Sequence, residues 1–381
     1  MSTAPNATVK VAKGLEGIVA AATQLSDVRG TEGILTYRGY NINDLAANST
    51  FEESIDLLWY GILPNRELLD KLTRKLVAAR PLPAEVLGAM KLFPTKSTPM
   101  DVLRTVVSQL GLHDVDETDN SVSANVRKSI RLTAQMPTIV AAWHNIHQGR
   151  EPVAPRTDLS HAANFLYMLE GKEPTPQAAR ILDIALILHM DHGLNASTFV
   201  ARSIASTESD MYSAISGALG ALKGPLHGGA NEAVMRMLLQ LGDVSAVEPF
   251  VKDALNNHRK VPGFGHRIYK TNDPRATQLR RIAGELANHT GNRKWYDMSE
   301  KMREIVWNER QLYVNVDFYS ASVYYTLGIP IELFTPIFAV SRVAGWTAHV
   351  MEQLLDNRIM RPDSEYVGPK DQTYLPIEQR P

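Results

Sequence analysis

Apolar residues recur at every third and fourth position through most of this chain, the spacing of amphipathic helices. Phe51, Ile55, Leu58 and Ile62 make one such face, stopped by Pro64 and opened by a capping box from Ser49 with Glu52 or Thr50 with Glu53. A second helix follows and ends near Arg80-Pro81. Thr98-Pro99 supplies a cap and an N1 proline ahead of Met100–Leu110. The acidic segment His113–Ser123 reads as an exposed loop. Helical patterns resume at Val126–Gln148, at Asp158–Glu170 and from Pro176. Asp210–Lys223 carries small residues at helical spacing, Ala214, Gly217, Ala218 and Ala221, and Gly224-Pro225 breaks it. Val234, Met237, Leu238 and Leu241 then form a stripe with Asn231 as the expected N-cap. Trp346, Val350 and Leu354 share one face of a helix over Gly345–Asn357. Alternation appears only at Ile34–Ile42, a small hairpin around Arg38-Gly39. So many helices and so little strand predict an all-α fold.

Composition narrows the function. A chain of 381 residues normally divides into about two domains. With 40 basic and 41 acidic residues it has no global field to attract nucleic acid or anionic membrane. It has no cysteine, which excludes disulfides and thiolate metal sites and is compatible with a reducing cytoplasm. Met1–Gly14 is polar, without an apolar core or an arginine, and does not read as a secretory or transit signal. The longest apolar run, Ile181–Met190, contains Asp183 and is too short to span a bilayer; it reads as a buried helix.

The candidate chemistry lies in a few short segments. In Gly224–Asn231, His227 sits in a glycine-flanked turn before a helix N-terminus, whose partial positive charge favours a neutral imidazole. His189-Met190-Asp191-His192-Gly193-Leu194-Asn195 is either a helix end with polar caps or a metal site, though no third ligand is evident. Pro262-Gly263-Phe264-Gly265-His266-Arg267-Ile268-Tyr269-Lys270 sets glycine-rich backbone beside two cations, which suits phosphates, or is a plain loop. Asp273-Pro274-Arg275 follows. In Asn315–Ser320, Asp317 reads most simply as an N-cap. Arg342 and Arg361 alone look like ordinary surface charge.

Together these motifs, in order from Gly14-Leu15-Glu16-Gly17 to Arg361-Pro362, resemble the citrate synthase family in its short prokaryotic form. The resemblance implies a large helical domain from residues 1–228 and 329–381 and a smaller, CoA-binding helical domain from 229–328, with the active site in the cleft between them. It implies catalysis by His227, His266 and Asp317. It implies oxaloacetate binding by His192, Asn195, Arg275 and Arg342, and by Arg361 reaching into the partner subunit of a homodimer; a higher oligomer of dimers is left open. CoA contacts fall to Pro262, Gly263, Phe264, Gly265, Arg267 and Lys270. Asp317 would take a proton from the acetyl-CoA methyl while neutral His227 donates to the thioester oxygen, and His266 would polarise the ketone. No metal or tightly bound cofactor is implied; the CoA thioester is a substrate. Thr98, Gly193, Gln311 and Val314 depart from common family residues: His, Glu, Lys and Pro.

The expected activity is citrate synthesis from acetyl-CoA, oxaloacetate and water by a cytoplasmic enzyme. The nearest alternative is 2-methylcitrate synthesis from propionyl-CoA, alone or alongside citrate synthesis, since all the named residues serve both. A catalytically silent binder of CoA or a dicarboxylate is a rival from another class, and the intact trio His227, His266 and Asp317 argues against it. A metal-binding helical protein using His189 and His192 is a third.

Overall fold

The computed structural model describes residues 11–381. Three short antiparallel strands come first: β1 Ser26–Arg29, β2 Ile34–Tyr37 and β3 Tyr40–Asn41, in that order, with Asp27 opposite Thr36 and Tyr37 opposite Tyr40. Helices follow: α1 Ile42–Asn48, α2 Phe51–Tyr60, α3 Arg66–Ala78, α4 Ala84–Met90, α5 Pro99–Gly111, α6 Val122–His147, α7 His161–Glu170 and α8 Pro176–His189. The second half holds α9 Ala196–Ala205, α10 Met211–Leu222, α11 Ala230–Leu241, α12 Val247–Asn256, α13 Pro274–Thr290, α14 Lys294–Arg310, α15 Val316–Thr326 and α16 Phe334–Leu355. The fold is all-α, as the periodicity predicts.

The caps explain most helix starts, and they correct several boundaries. Thr50, not Ser49, caps α2 by accepting the Glu53 N–H at 3.2 Å. That helix stops at Gly61 in the left-handed region, so Ile62 lies beyond it and is exposed. Thr98 caps α5, with Pro99 in its first turn. Ser121 starts α6 and Ser160 starts α7. The segment before α6 is more than an exposed loop. Its Asp114 is buried against Arg131 at 2.7 Å, and the carbonyls of Glu117 and Asp119 receive the buried Lys128 ammonium. Asn231 does not cap α11. Gly229 holds that position, and Asn231 is fully buried in the first turn.

The core is built around α16, which starts eleven residues before the expected Gly345. Every residue from Phe334 to Val350 is buried, so the helix is enclosed on all sides rather than on one face. It packs on α6, α8, α9 and α10. At Gly345 a Cβ would come within 2.3 Å of the Met190 carbonyl, so this glycine admits the chain that follows α8. Helices α11 to α15 pack chiefly on one another, and α13 also touches α1 and α8. No helix among the described residues is long and apolar enough to cross a membrane.

Candidate active site

His227 lies in the tight turn between α10 and α11, its N–H bonded to the Gly224 carbonyl at 2.9 Å. Gly228 is obligatory there, because a Cβ would meet the Leu222 carbonyl at 2.3 Å. The helix N-terminus facing the imidazole is that of α9, not the downstream α11. The Ser197 N–H donates to His227 Nε2 at 3.3 Å, with Ser197 Oγ 2.8 Å away. Nε2 is therefore an acceptor, which places the ring proton on Nδ1. Burial, with a contribution from Arg342, pushes His227 down to about 4, so the ring is neutral near pH 7.

The 262–266 loop is strapped to the start of α15. Gly265 N–H donates to Tyr313 O at 2.8 Å, Asn315 N–H to Gly263 O at 2.9 Å, and Asn315 Nδ2 to Gly265 O at 3.0 Å. Val314 pairs with Phe264 in an isolated antiparallel bridge whose two hydrogen bonds are donated by Gly265 and Asn315, so the strap does not depend on an N–H at position 314. Gly263 has φ 83°, and a side chain there would strike Phe318. His266 Nδ1 accepts the backbone N–H groups of Ile268 and Tyr269, each at 3.0 Å. Its proton is thus on Nε2, the opposite tautomer from His227. Burial and Arg275 push it down to about 4.

His192 is buried beside His266, ring centroids 5.3 Å apart, and its Nε2 is 3.2 Å from the Tyr269 hydroxyl. Burial first, then Arg275, hold it well below the usual histidine range. Asn195 caps α9, accepting the Thr198 N–H at 3.1 Å. Gly193 is left-handed at φ 57°, which suits glycine and strains the glutamate common in relatives. His189 and His192 do not face one another's ligands: His189 bonds the Ala185 carbonyl at 2.7 Å and packs on Phe338 inside the core. Among the described residues no group of three or more His, Cys, Asp or Glu side chains is placed to hold a metal ion.

Two buried arginines differ in their pairing. Arg275, 3 % exposed, is clasped by Asp273 through Nε at 3.0 Å and Nη2 at 2.8 Å. Arg342, 1 % exposed, donates Nε to the His189 carbonyl at 2.7 Å and lies over Phe338, with no carboxylate partner among the described residues. Burial pushes its pKa down to about 10, with Asp191 the leading opposing charge. Arg342 is thus a buried cation with its outer nitrogens unspent, the state expected of a group awaiting an anion.

Asp317 is the second residue of α15; Asn315, not Asp317, is the cap, accepting the Asp317 N–H at 3.1 Å. Its Oδ1 is sealed from solvent and has no hydrogen-bond partner. Burial pushes it up to about 7, partly offset by Arg275. A carboxyl with such a pKa serves as a base near neutrality.

The outlying residues are less gathered. Arg267 and Lys270 are exposed at the rim, where Arg267 donates to the Gly14 carbonyl at 3.3 Å and the Lys270 N–H to Gly30 O at 3.0 Å. Arg361 is 79 % exposed, its ion pair being with Asp363 at 3.6 Å, and a single chain does not bring it to the histidines. Gln311 ends α14 in the left-handed region, bonding Trp307 O at 2.9 Å. Ser197, Tyr269 and Asp273 were not singled out from sequence. Asp273 had a readable signal in Asp-Pro, an N-cap before an N1 proline; the contacts of the other two are visible only in three dimensions.

Two neutral N–H donors of opposite tautomer, a carboxylate poised near neutrality and buried arginines suit proton removal beside a carbonyl and stabilisation of the resulting enolate. Comparison with known proteins agrees. The family model described as citrate synthase, C-terminal domain, matches residues 14–363. Citrate synthase 2 of Bacillus subtilis is 50 % identical, covering 97 % of this chain and 99 % of that one. A citrate/2-methylcitrate synthase of the same organism is 42 % identical over 94 % of this chain and 97 % of its own. The solved ternary complex of a Thermoplasma acidophilum citrate synthase with carboxymethyl coenzyme A and oxaloacetate superposes with a TM-score of 0.92 at 32 % identity, covering 97 % of this chain and 100 % of that one. These similarities define an all-α acyltransferase that joins the α-carbon of a CoA thioester to the carbonyl carbon of a keto acid. The chain belongs to the citrate synthase family.

Proposed function

We propose that this enzyme's principal reaction uses acetyl-CoA, giving citrate and CoA from oxaloacetate and water, and that the residues above divide the work. His192, Arg275 and Arg342 hold oxaloacetate, with Asn195 beside them. Asp317 takes a proton from the thioester methyl while the Nδ1–H of His227 donates to the thioester oxygen, so the enolate forms against a fixed dipole. The new nucleophilic carbon attacks the ketone, whose oxygen is polarised by the Nε2–H of His266; the proton held by Asp317 then returns to the product alkoxide, so both histidines stay neutral. Water then cleaves the citryl thioester and releases CoA. The single observation carrying this reading is the pair of oppositely fixed tautomers, one of them on the loop strapped to the start of α15, where Asp317 Oδ1 is buried without a partner.

The 262–265 backbone, Arg267 and Lys270 are assigned to CoA, as donors and cations for its phosphates. Residues 229–328 form the smaller domain in this reading, supported by the mutual packing of α11 to α15 and by the positive φ of Gly328 at its end. Closure of the two domains on oxaloacetate excludes water. Arg361, solvent-exposed in one chain, acts in the partner's site of a homodimer. A cytoplasmic setting fits the cysteine-free sequence.

CoA release from acetyl-CoA and from propionyl-CoA, each with oxaloacetate, tests the assignment. One methylene is worth about 1–3 kcal/mol, so propionyl-CoA is expected to react with a lower kcat/KM. A higher kcat/KM for propionyl-CoA would make the enzyme a 2-methylcitrate synthase, and no release from either would leave a silent binder.

A further inference from the structure

Asp191, which precedes His192, spends both carboxylate oxygens inside the protein. Oδ2 accepts the Ser26 hydroxyl and, at 3.3 Å, the Gly193 N–H, which also donates to Ser26 Oγ at 3.0 Å. Oδ1 lies 3.2 Å from Nε2 of His349 on α16. The other ring nitrogen, Nδ1, faces Arg202 Nη1 of α9 at 3.1 Å. Arginine only donates, so Nδ1 accepts and the proton sits on Nε2, aimed at Asp191. Arg202 is itself held by Glu352 at 2.6 Å and by Gln353 Oε1 at 3.0 Å. His349 and Asp191 are fully buried and Arg202 is 4 % exposed. None of these groups makes a hydrogen bond to His227, His266 or Asp317.

We propose that the chain Glu352–Arg202–His349–Asp191 is a positioning device for oxaloacetate: it fixes the turn at His192–Gly193 from which His192 is presented. Arg202 sets the tautomer of His349. His349 then donates to Asp191, keeping its carboxylate oriented, and the carboxylate gathers the Gly193 N–H from the far side of the turn. Tyr37 tethers the Asp191 backbone separately, its hydroxyl bonding the Asp191 carbonyl at 3.0 Å and N–H at 3.1 Å. Loss of His349 therefore loosens the carboxylate rather than the whole segment.

The inference rests on His192 as an oxaloacetate ligand, so His192→Ala is measured alongside. His349→Leu deletes both ring hydrogen bonds, and His349→Gln returns an N–H near the place of Nε2. Loss of a hydrogen bond to a buried charge corresponds to roughly 10- to 100-fold in an equilibrium constant. His349→Leu should raise the oxaloacetate KM about tenfold or more, while the acetyl-CoA KM at saturating oxaloacetate stays within about twofold. His349→Gln should recover most of the loss. If His349→Leu does not fold, Ser26→Ala, which removes one hydroxyl from the same carboxylate, should raise the oxaloacetate KM with an unchanged Tm. A lowered Tm with an unchanged oxaloacetate KM in His349→Leu, or an equal loss in the Gln variant, overturns the proposal. Normal oxaloacetate binding by His192→Ala would instead sink the ligand assignment beneath it.

Discussion

Asp273 closes both of its oxygens on the fork of Arg275, whereas Arg342, buried as deeply, makes no ion pair among the described residues. The two cations should therefore respond oppositely to deletion. Arg275→Met strands the fully buried Asp273 and should destabilise the ligand-free enzyme by about 3–5 kcal/mol. Arg342→Met removes a fully desolvated charge held by one carbonyl bond and the through-space charge of Asp191 but by no ion pair, so Tm should hold or rise. Both variants should lose the oxaloacetate-induced rise in Tm. Thermal unfolding with and without oxaloacetate reads all of this, and a large loss of ligand-free stability in Arg342→Met would mean that its charge is matched.

Asp317→Asn removes the base and leaves the arginines in place. Turnover should fall by about 10²–10⁴-fold or more, with oxaloacetate affinity little changed. Steady-state kinetics together with oxaloacetate calorimetry separates the two effects. Near-normal turnover would remove Asp317 from the chemistry.

The same carboxyl sets a pH dependence with a definite sign. Folding raises it from an ordinary 3.8 to about 7, so the folded state holds the proton more tightly than the unfolded chain. This contribution to stability is present below about 4 and is lost as pH rises through about 7. Asn stays neutral, so the Tm advantage of Asp317→Asn over wild type should be larger at pH 8 than at pH 5. Activity runs the other way: kcat/KM should climb to a plateau through a midpoint near 7. His227 and His266, both at about 4, add no descending or ascending limb between pH 6 and 9. A limb near 6.5 that vanishes in a His227 variant would contradict the neutral-donor assignment.

Ser197→Ala should lower kcat about tenfold, because one hydroxyl that orients His227 is gone while its backbone N–H remains. The oxaloacetate KM should stay near wild type. An unchanged kcat would show that the N–H alone fixes the ring.

Arg361 can be tested by complementation. His227→Ala and Arg361→Ala chains, each inactive, are unfolded and refolded together. If Arg361 serves the partner's site, each mixed dimer has one intact site, and random pairing recovers roughly a quarter of wild-type activity per subunit. Verified subunit exchange with no recovered activity would place Arg361 in cis or outside the site.

The motif residues were legible because their neighbours in sequence are also their neighbours in space: Gly228 beside His227 and the Ile268 and Tyr269 amides beside His266. Periodicity likewise found most of the helices. Ser197 was not legible as a partner of His227, since Asn195-Ala196-Ser197-Thr198 reads as an ordinary helix start thirty residues away. β1, Ser-Asp-Val-Arg, is too polar to announce a strand; it exists by pairing with β2 and by Ser26 reaching Asp191. Asn231 had the right type for a cap, yet the tight 224–229 turn already terminates the chain's approach and draws it inside. Asp317 read as a cap for the same reason, and only its neighbour Asn315 being nearer the helix start leaves the carboxyl free.

The enclosed helix α16 begins at Phe334, near the end of a 381-residue chain. Synthesis proceeds from the N-terminus, so this central helix emerges after the α6, α8, α9 and α10 that it packs on. Until it does, the faces of α6, α8, α9 and α10 that pack on it lack their partner, and His349 and Arg342 have not yet reached the Asp191 turn. The core of the molecule therefore cannot close before α16 has been made, and the apolar faces that it covers are open to a chaperone or to another unfinished chain until then.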